Sequence, residues 1–143
     1  MGVEFRLRLG EVEEAERDNQ HAARLLDRAQ DVLGLQQVLA NGGQIAEKRG
    51  QWEEAERAYV AALAKAEEVG LTAEAAQANF CLARLRFKTR DVPGARAAYR
   101  KAAAARFAEL NPPYAASFEE LGRQIRAAEE EPPTAAPETS DAP

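Results

Sequence analysis

The chain has 143 residues, 45% of them hydrophobic and 30% charged, enough for one domain with a core of its own and outside the range of a disordered polypeptide. Its net charge of −5 lacks the basic excess that supplies much of the affinity of nucleic-acid binders, and its single cysteine rules out an intrachain disulfide. No apolar run approaches the roughly 20 residues that cross a bilayer.

Residues 1–9 alternate Val3, Phe5, Leu7 and Leu9 as a strand would, while Phe5, Leu9 and Val12 also fit one helical stripe. A lone strand has no partner in a chain otherwise rich in helix formers, so a short helix or an extended arm is expected here. These residues are charged throughout and contain no signal-peptide core, which makes the cytoplasm the expected location. A helix follows over about 11–33. The next run, 36–49, places Leu39, Gly42, Gly43 and Ala46 on one helical face and is broken at Gly50-Gln51. Trp52, Ala55, Tyr59, Ala62, Leu63 and Ala66 form a second stripe that ends at Val69-Gly70, where glycine suits a C-terminal cap. Thr72 is placed to cap a further helix, with Glu74 in its first turn, and that helix runs to about Lys88. Asp91 followed by Pro93 marks another start, and Ala95, Tyr99, Ala102, Ala103 and Phe107 are the apolar positions of the helix it opens. After Pro112-Pro113, Tyr114, Phe118, Leu121 and Ile125 recur at helical spacing up to about 130. Residues 131–143, EPPTAAPETSDAP, are rich in proline and acid and are expected to be disordered.

Three of these segments align with one another at a constant spacing. GEVEEAER (10–17) and GQWEEAER (50–57) share six of eight letters at an offset of 40. A second shift of 40 aligns RDVPGARAAY (90–99) with GQWEEAERAY. Ala15, Ala55 and Ala95 fall in register, as do Tyr59 with Tyr99, and Ala22 with Ala62 and Ala102. Internal periodicity of this length means stacked supersecondary units. Small side chains at fixed positions allow two helices to approach closely, and the aromatic one turn later fills the space beside them. The organisation expected is all-α: antiparallel helix-turn-helix pairs stacked as a short right-handed superhelix. One domain would span 1–130, with an incomplete first repeat at 1–34, a second at 35–70, a third at 71–110 and a capping helix at 112–130. The incomplete first repeat would leave an apolar face on helix 11–33, which self-association through this end could cover, unless the chain is a piece of a longer protein.

The pattern resembles the tetratricopeptide repeat. Gly43, Gly50, Ala55, Tyr59 and Ala62 match its motif in the second repeat, and Ala83, Ala95, Tyr99 and Ala102 in the third, so the resemblance covers about 10–107. The usual period is about 34 residues, and the six further residues here are expected to lengthen the helices. Ala46 and Arg86 stand where the family carries an aromatic in the first helix, and Glu67 and Phe107 replace its closing proline. The resemblance implies a concave groove, lined by the first helix of each pair, that holds a peptide. Carried over by the alanine register, the groove-facing positions are Gln37, Ala40, Asn41, Gln44, Glu47 and Lys48 in the second repeat. Those in the third are Gln77, Phe80, Cys81, Arg84, Phe87 and Lys88. Phe80, Arg84, Phe87 and Lys88 share one face, which suits a protein or peptide partner bearing an apolar anchor and an acidic or C-terminal carboxylate group. The alternative is that Phe80 and Phe87 pack inward as core. The branch of the family that clamps chaperone C-termini uses lysine and asparagine in a complete first helix of its first repeat, so chaperone-tail binding is not expected of an incomplete one.

Catalytic chemistry finds little to work with. His21 is the only histidine and lies among Asn19, Gln20 and Arg24, as a surface residue would. Cys81 has Arg84 a turn away, which could lower its pKa, but a lone cysteine in a helix is usually packing. Gly42-Gly43 lies inside a helix and is followed by no Lys-Ser or Lys-Thr pair, so it is not a phosphate loop. Glu53-Glu54, Glu67-Glu68 and Glu129 to Glu131 read as solvated faces. A non-catalytic interaction scaffold without metal or cofactor is therefore expected. Nucleic-acid and membrane partners are not, and an architectural homo-oligomer is the alternative.

Overall fold

The structure, a computed structural model, describes residues 11–29 and 32–131, with the side chains of 25–29 set aside. The expected arm at 1–10 and most of the expected tail at 131–143 lie outside the described residues. Seven helices follow one another: α1 (Val12–Ala29), α2 (Val32–Lys48), α3 (Trp52–Glu68), α4 (Thr72–Lys88), α5 (Val92–Ala104), α6 (Phe107–Leu110) and α7 (Ala115–Glu130). A 3₁₀ turn over Pro112–Tyr114 introduces α7, and no strand occurs among the described residues. The fold is an all-α helical-repeat arrangement.

Its rhythm is set by the turns. α2, α3 and α4 are each 17 residues long. Each is closed by a residue in the left-handed region: Gly50 (φ 74°), Gly70 (φ 74°) and Arg90 (φ 70°). At all three turns the next amide donates back across the helix end, Gln51 to Ala46 at 2.9 Å, Leu71 to Ala66 at 2.9 Å and Asp91 to Arg86 at 2.8 Å. These bonds satisfy carbonyls that a helix end otherwise leaves open. Half the 40-residue period is thus one helix plus one three-residue turn.

Two starts compare differently with expectation. Asp91 caps α5, its carboxylate accepting from the Gly94 amide at 3.0 Å, with Pro93 in the first turn. Thr72 does not cap α4; it is the first helical residue, Leu71 holds the cap position, and no side chain caps that end. Boundaries shift as well. α2 begins at Val32 rather than 36, and α1 ends at Ala29 rather than 33. The third repeat is also shorter than expected: α5 stops at Ala104, Arg106 turns left-handed (φ 60°), and Phe107 opens the separate helix α6.

Packing is sequential. α1 packs on α2, α2 on α3, α3 on α4, α4 on α5 and α5 on α7, while α2 touches α4 and α4 touches α7. The alternate helices α1 and α3, and likewise α3 and α5, do not pack on one another. The array therefore curves, with α2, α4 and α7 on its inner, concave side. The alanines in register do what their size permits: Ala15, Ala55, Ala95, Ala62 and Ala102 are all fully buried. At Gly43 a side chain would collide with the Tyr59 ring, so glycine here is what lets α2 and α3 close around a fully buried tyrosine. The apolar core runs from α2 to α7, and its stacked rings join α4 to the C-terminal helices. The Phe80 ring stacks on Phe107 at 4.8 Å between centroids, Phe118 lies 5.2 Å from Phe107, and Tyr99 stacks on Phe118 at 4.2 Å.

The apolar face expected on helix 11–33 falls in part outside the described side chains, which in α1 end at Arg24. Among the described side chains of α1, Glu13, Glu14, Arg17, Asp18, Gln20, His21 and Arg24 are exposed, Val12, Ala22 and Ala23 are half-buried, and Ala15 and Asn19 are buried. No described helix is long and apolar enough to cross a membrane.

Candidate functional site

The concave side is built around one carboxylate. Glu47, near the end of α2, is 7% exposed and receives donors from two other helices. The Tyr59 hydroxyl of α3 donates to it at 2.7 Å. From α4, Arg84 donates through Nη2 at 2.9 Å and Nε at 3.3 Å, and Lys88 through Nζ at 2.6 Å. Arg84 Nη2 also reaches the Tyr59 oxygen at 3.3 Å. Burial raises the Glu47 pKa, but the Arg84, Lys88 and Tyr59 donors outweigh it and hold the group down at about 2. Burial pushes the Tyr59 hydroxyl well above its ordinary value. Lys88 further lies 5.8 Å from the Trp52 ring centre and Arg84 5.6 Å from that of Phe80.

Beside this cluster, α4 and α7 enclose an open groove of about 370 Å³. Phe80 and Arg84 form its α4 wall. The α7 wall is Ala116, Ser117, Glu120, Leu121 and Gln124. Glu120 is tied to Arg123 (2.6 Å) and Gln124 (3.2 Å) of its own helix.

The expected site residues divide sharply. Phe80 is a correction: it borders the groove but is only 4% exposed, being stacked on Phe107 in the aromatic core. Cys81 is buried too, and burial pushes its thiol up in pKa, away from the reactive thiolate. Phe87 is half-buried against the same core. Arg84 and Lys88 do come together, but on Glu47 rather than facing solvent as an unpaired cation pair. In α2, Asn41 is buried with its amide oxygen lacking a donor, Gln37 and Gln44 are half-buried and Lys48 is exposed. Gln77 is half-buried in α4.

Sequence reasoning missed the α7 wall. The signal was present: Ser117, Glu120, Leu121 and Gln124 stand 40 residues after Gln77, Phe80, Cys81 and Arg84, so α7 occupies the place of a third first-helix and continues the same face. Among the described residues no group of three or more His, Cys, Asp or Glu side chains is arranged to hold a metal ion.

Fold and site together define a helical-repeat protein with a largely apolar concave groove edged by polar side chains. Comparison of the chain with known protein families, curated proteins and solved structures found no match.

Proposed function

We propose that this protein is a non-catalytic interaction module of tetratricopeptide-like design that holds a segment of a partner protein in the α4–α7 groove. The observation that carries this reading is the groove itself: an open trough of about 370 Å³ on the concave side, with apolar Phe80 and Leu121 at its base and polar Arg84, Ser117 and Gln124 at its edges. Such a mixture suits an extended peptide, whose side chains need apolar seats and whose backbone needs hydrogen-bonding partners. The partner that fits carries an apolar anchor. An acidic or C-terminal carboxylate on it would meet Arg84 and Lys88 in competition with Glu47, so it contributes after the anchor is seated. Two cations facing one carboxylate leave a single positive charge for that contact.

The test is a titration of fluorescently labelled peptide libraries against the full chain, repeated with Ser117→Arg. Ser117 is exposed on the groove wall and makes no core contact, so the variant keeps the fold and fills the trough. Binding that falls at least about tenfold, a loss of roughly 1.4 kcal/mol, supports the groove. The absence of any binder, or affinity equal in both proteins, would count against it.

A further inference from the structure

α4 has a second working face. A cavity of about 410 Å³ opens between α3 and α5, which do not pack on each other, and α4 forms its floor with Thr72, Ala75, Ala76 and Asn79. These four stand at one helical stripe, about a third of a turn from Phe80 and Arg84. The cavity is therefore separate from the groove proposed above.

Two independent observations mark it. The first is how the space arises. Forty residues earlier the same stripe in α2 reads Val32, Leu35, Gln36 and Leu39. At the three deeper positions α4 has Ala75, Ala76 and Asn79, so two large side chains are trimmed to methyl groups and a leucine is replaced by an amide. The second is Asn79 itself. It is only 6% exposed and lines the cavity, and its side-chain amide is hydrogen-bonded to no other side chain of the protein. Its amide atoms are not sealed off without a partner, as an oxygen of Asn19, Gln36 and Asn41 is, and so stand open to the cavity. The register partner Leu39 shows that an apolar side chain is at home here, so asparagine forgoes apolar burial for an amide that points at open space.

Charge decides the ligand class. Glu67 and Lys101 stand at the rim and oppose one another. The open amino-terminal end of α4, which no side chain caps, is offset by the carboxyl-terminal ends of α3 and α5 that border the same cavity. Neither a cation nor an anion is favoured. What remains is a methyl-lined space with one amide that both donates and accepts.

We infer that this cavity binds a neutral aliphatic group bearing an adjoining amide, seated on Ala75 and Ala76 with its amide paired to Asn79. A free small amide and a leucine-like residue within a peptide share this chemistry.

The experiment is a titration of the isotopically labelled full chain by NMR with N-acetyl-L-leucine N-methylamide, alongside 4-methylpentanoate as the aliphatic carboxylate. Saturable shifts at the Asn79 side-chain amide, Ala75, Ala76 and Lys101 with the amide probe, and weaker ones with the carboxylate, are expected. Asn79→Leu should stay folded and weaken the probe about tenfold, the worth of one lost hydrogen bond. Ala75→Leu combined with Asn79→Leu should fill the space and abolish binding. The capped tripeptide Ac-Ala-Leu-Ala-NHMe separates the sources: tighter binding than the capped leucine assigns the site to a peptide, equal binding to a small amide, and both uphold it. No saturable shift in the unmodified protein, a preference for the carboxylate, or equal binding by the double variant overturns the inference. Ser117→Arg should leave these shifts unchanged, so the two sites succeed or fail separately.

Discussion

At Glu47 a buried carboxylate is tolerated because three side chains from two other helices donate to it. Removing one member of such a group leaves the others without their partner, which costs more than the group contributes net. Glu47→Gln keeps the shape but removes the charge that Arg84 and Lys88 answer. Its folded-state pKa lies near 2 against an ordinary 4.5. The sign follows from that direction. A depressed carboxylate contributes stability above its unfolded pKa, and the contribution drains away as pH falls through the folded value. Chemical denaturation should therefore show stability dropping by about 3 kcal/mol between pH 5 and pH 2 from this group alone. In Glu47→Gln that share of the pH dependence should vanish, together with about 2–3 kcal/mol of stability at neutral pH. An unchanged acid profile in the variant would show that another carboxylate dominates.

At the scale of the element, what repeats most faithfully is the way each helix stops. Turns at 50, 70 and 90 share one backbone geometry, yet the third places an arginine where the first two have glycine. A side chain in the left-handed region crowds the following carbonyl, a strain glycine escapes. Arg90 is exposed, so no packing is lost on replacing it. Arg90→Gly should stabilise the protein by about 0.5–1 kcal/mol and raise its melting temperature by about 2–4 °C in calorimetry. A fall in melting temperature would mean that the Arg90 side chain holds something its exposure does not reveal.

For the molecule as a whole, stability is passed between neighbours, since each helix packs chiefly on the ones beside it. α7 closes the C-terminal end by setting Phe118 against Phe107, Phe80 and Tyr99. Phe118→Ala should cost about 3–5 kcal/mol. The loss should be local first: hydrogen exchange is expected to lose protection in α5, α6 and α7 while α2 and α3 keep theirs. Uniform loss along the chain would instead show one cooperative unit. Curvature also belongs to this scale. Contact among α2, α4 and α7, with gaps between the outer helices, produces both the concave groove and the separate cavity over Asn79.

Helix content, the 40-residue period, the stops at Gly50 and Gly70 and the Asp91 cap were all legible in the sequence, because each depends on residues within a turn or two of one another. The alanine register also marked five positions that are fully buried, Ala15, Ala55, Ala62, Ala95 and Ala102, while its sixth, Ala22, is half-buried. What neighbouring residues could not decide was which long-range partner a side chain meets. Phe80 shares a helical stripe with Arg84, and nothing local says that Phe107 and Phe118 would draw the ring into the core. Nothing local says either that α2 would bring Glu47 between Arg84 and Lys88 from 37 and 41 positions away. Local spacing determined the helices and their beat; the packing of one pair upon the next decided which of their faces remained open.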